Sequence, residues 1–351
     1  MERIRVETAR TYDVVIGSGI LESIGAEMSP LVKGKRSVII ADDITDSIYG
    51  ERVKRSICDA GFSVESFVFP HGEESKSAKT FVDILEFLAE AKLNRADSIV
   101  ALGGGVVGDI TGFAAASFLR GIKFVQIPTT LLAAVDSSVG GKTAINLTAG
   151  KNLAGAFYQP SLVLCDTDII RDLPEKIFAD GMAEVIKYGA IRSTKILSLI
   201  KDGAHKNLDE IIAECVKIKR DVVSEDEFDT GLRQLLNFGH TPAHAIEKLS
   251  RYEISHGSAV AVGMCIMARA AERLGMCETG IYNEIKALCR EFSLPTEVSY
   301  TAEELFSFAM SDKKRSAGYV TLVVPKVRGE SVLHKVPEDE MKKFFALGTE
   351  V

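Results

Sequence analysis

The chain has 351 residues, 46% of them apolar and 26% charged, with a net charge of −7. A nucleic-acid binder normally carries a basic excess, so this acidic balance excludes that class while leaving room for a locally positive site. The length exceeds one ordinary domain and can bury most of its apolar surface without covalent staples.

Short apolar runs predict strands at residues 37–41, 64–69, 98–102, 123–127 and 162–165. A helix is expected between the first two, ending near Ala60 with Gly61 as its stop. Phe81, Leu85 and Leu88 recur at helical spacing and predict a helix over about 75–93. Strands alternating with helices imply a parallel sheet covered on both faces. After about Asp180 the pattern changes to amphipathic segments at 181–191, 208–225, 241–249, 257–274 and 279–292. Short strands return at 319–324 and 331–334 around a turn at Arg328-Gly329. The expected organisation is α/β plus all-α, with an α/β domain at 1–179 and a mainly helical domain at 180–351. A cleft between two such domains is the usual place for a ligand.

The six cysteines contain no C-x-x-C pair and read as reduced core residues. Residues 1–10 are charged and lack the apolar core of a signal peptide, and no run approaches a membrane span. A cytoplasmic address is therefore expected.

The sequence GGGVVGD at 103–109 follows a predicted strand and opens a predicted helix. Glycines there let backbone amides approach a pyrophosphate, although one glycine would suffice for a plain strand–helix turn. Val139–Thr143 imitates the end of a Walker A loop, but Asp136 stands where that loop needs glycine, so a P-loop is rejected. Asp136, Lys142, Asn146, Lys151 and Asn152 crowd one Gly-rich stretch, read either as an exposed loop or as a site for a polyhydroxylated anion.

Three of the six histidines fall within 237–256, and His240 and His244 form an i, i+4 pair that could hold a metal. Glu184 lies inside an otherwise apolar helix. Spacing alone does not choose which of these groups bind a metal and which are paired in a core. Lys187, Lys219, Arg233 and Lys313-Lys314 recur near these features and together suit a carboxylate and phosphate substrate.

These motifs occur in a series: GGGVVGD at 103–109, FLRGI at 118–122, PTTLLA at 128–133, DSSVGGKT at 136–143, AEVIKY at 183–188, GLR at 231–233, NFGH at 237–240 and DKK at 312–314. The series resembles the 3-dehydroquinate synthase family in order over about residues 37–325. The resemblance implies a Rossmann-like N-terminal domain, a helical C-terminal domain and an active site between them. It assigns the metal, zinc or cobalt, to Glu184, His240 and His256. It assigns NAD to Asp42, Glu73, Lys76, Gly104, Gly105, Asp109, Thr129 and Thr130, with Asp136, Lys142 and Lys151 also on the cofactor side. It assigns substrate to Asp136, Lys142, Asn152, Lys187, Lys219, Arg233, Asn237, His244 and Lys314, with Lys187 and His244 handling protons. Arg120 would reach a neighbouring subunit, which implies a homodimer.

The implied activity is a lyase step of the shikimate pathway toward aromatic amino acids. It converts 3-deoxy-D-arabino-heptulosonate 7-phosphate to 3-dehydroquinate and phosphate through transient oxidation, β-elimination, reduction, ring opening and aldol closure. The sequence departs from the family pattern at Ile44, Asp172, Asp229 and Ser258. Other sugar phosphate cyclases, such as 2-deoxy-scyllo-inosose or valiolone synthases, share the scaffold. So do polyol dehydrogenases of the glycerol dehydrogenase type, which would not need Lys142, Asn152, Arg233 and Lys314. A non-catalytic metabolite binder would not need Glu184, His240 and His256 together.

Overall fold

A computed structural model describes residues 1–312 and 318–350. The chain divides into two compact units, Met1–Leu173 with Leu208–Ser224, and Pro174–Asn207 with Glu225–Val351.

The first unit is built on a seven-stranded sheet. β1 (Glu2–Val6) and β2 (Tyr12–Gly17) form an antiparallel hairpin at one edge. The chain continues through α1 (Ile24–Met28), β3 (Arg36–Asp42), the single turn α2 (Asp43–Thr45), α3 (Glu51–Asp59) and β4 (Ser63–Phe69). Then come α4 (Ala78–Glu90), β5 (Ser98–Gly103), α5 (Gly105–Ser117) and β6 (Lys123–Pro128). β7 (Lys142–Leu147) and β8 (Gly150–Phe157) form a separate hairpin before β9 (Leu162–Asp166) and α6 (Thr167–Arg171). The chain leaves through α7 (Glu175–Arg192) and α8 (Thr194–Lys201), and returns to this unit with α9 (Leu208–Glu225).

The strand order is β1-β2-β9-β6-β5-β3-β4, parallel throughout except at β1. Side chains alternate across it: Ile39 and Ala41 of β3 join one core with α1 and α3, while Val38 and Ile40 join the other with α4 and α5. Fully burying an Ile or Leu is worth about 1.5–3 kcal/mol, so these two faces hold the sheet. From β3 the chain runs outward to β4 and then back to β5 on the other flank of β3. The carboxyl ends of β3 and β5 therefore flank a topological switch point, where open α/β sheets bind ligands.

The second unit consists of α7, α8, α10 (His240–Leu249), α11 (His256–Arg273), α12 (Ile281–Glu291), α13 (Ala302–Asp312), β10 (Tyr319–Val327), β11 (Glu330–Pro337) and α14 (Glu338–Thr349). Nearly every residue of α11 from Gly257 to Ala271 is buried, which marks it as the central helix. α7, α10, α12 and α14 pack around it. Among the described residues, no helix is long and apolar enough to cross a membrane.

The structure differs from the sequence expectations in local ways. The polar stretch containing Lys142, Asn146, Lys151 and Asn152 is the β7–β8 hairpin, not an irregular loop. Only Thr143 and Ile145 of β7 are buried, too short an apolar alternation to read amid glycines. β1 was also hidden, because Arg3 and Arg5 alternate with its buried Ile4 and Val6. Helices α8, α13 and α14 were not expected. The helix expected from residue 75 starts at Ala78, because the Ser77 hydroxyl accepts the Thr80 N–H at 3.2 Å and caps it there.

Candidate functional site

Three potential metal ligands converge inside the second unit. Glu184 lies on the buried face of α7 and is wholly inaccessible. His240 opens α10 immediately after Gly239, whose φ of 78° is left-handed. A β-carbon on Gly239 would stand 2.7 Å from the Met264 nitrogen of α11, so glycine permits both the turn and the close approach of the two helices. His256 opens α11, and the Asp180 carboxylate of α7 secures that end. It accepts the Ser255 hydroxyl at 2.5 Å and the Ser258 N–H at 3.2 Å.

Glu184 Oε1 is 3.5 Å from His240 Nε2 and 3.2 Å from His256 Nε2. One donor atom from each of the three residues lies within 4.8 Å of the others. Two imidazoles and one carboxylate make a donor set that fits a catalytic zinc or a similar divalent cation. Lys187, one turn along α7 and equally buried, forms an ion pair with Glu184 Oε2. Burial pushes the His240 imidazole down to about 3. Burial acts the same way on His256, but the carboxylates of Glu184 and Glu247 outweigh it and raise that imidazole.

Helical spacing made His240 and His244 an equally good pair. The structure leaves His244 exposed and outside the converging group, its ring edge-on to His240 with centroids 5.8 Å apart.

A second polar constellation occupies the carboxyl ends of β3, β5 and β6 in the first unit. Gly104 precedes α5 in extended backbone with no side-chain cap, which leaves the first N–H groups of that helix for an anion. The Thr129 N–H donates to the Gly103 carbonyl at 3.1 Å, while its hydroxyl is buried without a partner. Uncapped amides and an orphaned hydroxyl at a switch point fit a dinucleotide phosphate. Asp42 ends β3 and accepts the Thr45 N–H at 2.8 Å. Lys76, almost fully buried, reaches Asp109 and Asn152, each at 2.5 Å, and Asn146 donates to Glu73 at 2.7 Å. Burial raises the Asp109 carboxyl above its ordinary range, and the neighbouring Lys76 offsets this only in part.

The remaining expected residues fall as follows. In the first unit, Lys219 of α9 contacts both the carbonyl and the carboxylate of Asp136. The Thr130 hydroxyl accepts the Ala133 N–H at 3.2 Å, and Gly105 opens α5. Lys142 is exposed on β7, Lys151 half-buried on β8, and Asn152 exposed with φ 57°. Arg120 is exposed with φ 64°, directly after Leu119 at φ 51°.

In the second unit, buried Arg233 donates to the Glu227 carbonyl at 2.6 Å. The Asp226 carboxylate gathers the N–H groups of Thr230, Gly231 and Arg233 and shapes that loop. Asn237 is exposed at the end of a 3-10 segment, Leu232–Asn237. Lys313 and Lys314 lie outside the described residues. Of the departures, Ile44 and Asp172 are exposed, Asp229 has φ 59°, and Ser258 belongs to the cap of α11.

Sequence reasoning missed Asp180, Asp226 and Glu247. Glu247 had a readable signal, since it lies two turns after His240 on the same helix.

Comparison with known proteins gives a consistent result. Two family models match in tandem, 3-dehydroquinate synthase N-terminal over residues 66–180 and 3-dehydroquinate synthase C-terminal over residues 181–315. A 3-dehydroquinate synthase of Clostridium acetobutylicum is 42% identical over 98% of this chain and 99% of its own length. A crystal structure of 2-deoxy-scyllo-inosose synthase, complexed with carbaglucose-6-phosphate, NAD+ and Co2+, superposes with TM-score 0.88 at 28% identity, covering 98% and 99% of the two chains. The 2-epi-5-epi-valiolone synthase of Streptomyces hygroscopicus, with NAD+ and Zn2+ bound, gives TM-score 0.86 over 99% of each chain. At 23% identity, that likeness concerns the fold alone. With both family models matched in tandem and a relative this similar end to end, the chain belongs to the 3-dehydroquinate synthase family.

Proposed function

We infer that the chain converts 3-deoxy-D-arabino-heptulosonate 7-phosphate to 3-dehydroquinate and phosphate, a lyase reaction without net redox change. The observation that carries this reading is the convergence of Glu184, His240 and His256 in a chain of this family. Glu184, His240 and His256 would hold zinc or cobalt. Gly104, Gly105, Asp109, Thr129 and Thr130, with Asp42, Glu73, Lys76 and Lys151, would hold NAD. When bound, the cation supplies a Lewis acid for a substrate hydroxyl, and NAD supplies a hydride carrier that ends each turnover unchanged.

The chain's own residues bind and orient. Arg233, steadied by the Glu227 carbonyl, is suited to grip the substrate carboxylate in two-point fashion. Lys142, Asn152, Lys219 and Lys314 are assigned to the phosphate and hydroxyl groups, with Asp136 holding Lys219. Lys187 sits one turn from Glu184, where it balances that carboxylate and can relay a proton. His244, exposed beside His240, is the second proton-handling group, and Asn237 orients substrate. Orientation of this kind is worth several kcal/mol of barrier by itself, about 7–11 kcal/mol in favourable intramolecular cases. Arg120, exposed and held in left-handed backbone, is offered to a second copy of the chain in a homodimer.

The test is incubation with the heptulosonate phosphate, NAD+ and zinc. Phosphate and 3-dehydroquinate should appear in equal amounts while NADH absorbance stays flat. Steady accumulation of NADH would instead indicate a polyol dehydrogenase, and absence of turnover with this substrate would sink the assignment.

A further inference from the structure

The two imidazoles of the metal cluster are held in the same sense. Each turns Nε2 toward Glu184, and each has its Nδ1 faced from behind by an acceptor. For His240 that acceptor is the Phe238 carbonyl at 3.2 Å. For His256 it is the Glu247 carboxylate at 3.6 Å, an ion-pair contact slightly longer than a hydrogen bond. Glu247 is only 6% exposed. A carboxylate so buried is almost never found without a dedicated partner. The backbone beneath it is also fixed, because the Ser250 hydroxyl and the Tyr252 N–H both donate to the Glu247 carbonyl, at 3.0 and 2.7 Å.

We propose that Glu247 is the positioning residue of the metal centre, accepting from Nδ1–H of His256 and thereby committing the Nε2 lone pair to the cation. The proposal rests on the metal reading given under the proposed function. A histidine ligand whose second nitrogen donates to a carboxylate is fixed in ring orientation and tautomer, and becomes a more basic ligand. The neutral carbonyl behind His240 orients its ring without adding charge. The two histidines are therefore unequal, with His256 the more electron-rich. Glu247 acts through His256 and has no contact with substrate in this role.

The experiment measures zinc dissociation constants by chelator competition for the wild type, Glu247→Gln and Glu247→Ala. Visible absorption of the cobalt-loaded proteins is recorded alongside. Glu247→Gln keeps the size of the side chain and loses its charge. It should weaken zinc about 10–100-fold and shift the cobalt bands while far-ultraviolet circular dichroism is unchanged. Glu247→Ala should weaken zinc at least as much. A purely structural role would leave the Gln variant at wild-type affinity with unshifted bands, and that result overturns the proposal.

A second measurement needs no substitution. In 15N-histidine spectra of the zinc-loaded wild type, His256 should carry a proton on Nδ1 and the metal on Nε2. Metal on Nδ1 would contradict the proposal. Failure of the wild type to bind zinc at all would remove the metal reading itself, and this inference with it.

Discussion

Gly257 at the start of α11 lies directly against the Asp180 carbonyl of α7, so close that a β-carbon there would stand 2.0 Å from the oxygen. This contact, with the Asp180 cap, brings His256 against Glu184. Gly257→Ala must push the two helices apart. Overpacking of this kind costs about 1–3 kcal/mol. The variant should melt several degrees lower and lose zinc when assayed by metal analysis after dialysis. Wild-type zinc content at wild-type melting temperature would show that the close approach does not set the cluster.

Removing a ligand should separate the metal from the nucleotide. His256→Ala takes away one of the three converging donors and leaves the β5–α5 constellation of the first unit untouched. Zinc content should fall to background and turnover with it, while NAD+ binding by calorimetry persists. Full turnover in His256→Ala would refute the ligand assignment.

How far the sequence foretold this arrangement depends on the range of the physics involved. β3, β5, β6 and β9 were legible because both of their faces are buried, which forces unbroken apolar runs such as residues 38–41. The glycines at 103–105 were legible because a strand–helix turn is local. Convergence of His240 and His256 on Glu184 was not, since it depends on Gly239 and Gly257 pressing onto backbone of other helices. A lone glycine in a sequence does not name its partner. Spacing therefore offered the His240/His244 pair without choosing among the histidines, and only the resemblance put His256 in place of His244. The Lys76–Asp109–Asn152 cluster was hidden for the same reason, with β7–β8 folding back to meet α4 and α5.

That cluster makes the third prediction. Lys76 is 5% exposed and pairs with Asp109 at 2.5 Å. Lys76→Met fills the same space but leaves the Asp109 carboxylate without its cation. Breaking a buried pair from one side typically costs about 3–5 kcal/mol. The urea midpoint should drop markedly, and NAD+ affinity with it. The double variant Lys76→Met with Asp109→Asn should recover much of the stability but not the NAD+ affinity. A single variant as stable as wild type would mean that the pair carries no structural load.

The last prediction concerns acid. Partial burial pushes the Asp226 carboxyl up, but the N–H groups of Thr230, Arg233 and Gly231 and the Thr230 hydroxyl more than offset this, holding it at about 2 rather than 3.8. A carboxyl depressed on folding contributes stability above its unfolded value. That contribution is lost as pH falls from about 4 toward the folded value, because the unfolded chain then binds more protons. Solvent screening at this half-exposed position keeps the effect below full linkage strength. Asp226→Asn removes the titrating group, so wild type should exceed the variant in urea midpoint at pH 6, with the gap about halved by pH 3 and closing only toward pH 2 and below. The same substitution loosens the loop that delivers Arg233, so KM for the substrate should rise more than kcat falls. A stability gap that stays constant from pH 6 to pH 3, or an unchanged KM, would show that the Asp226 carboxylate does not organise the arginine loop.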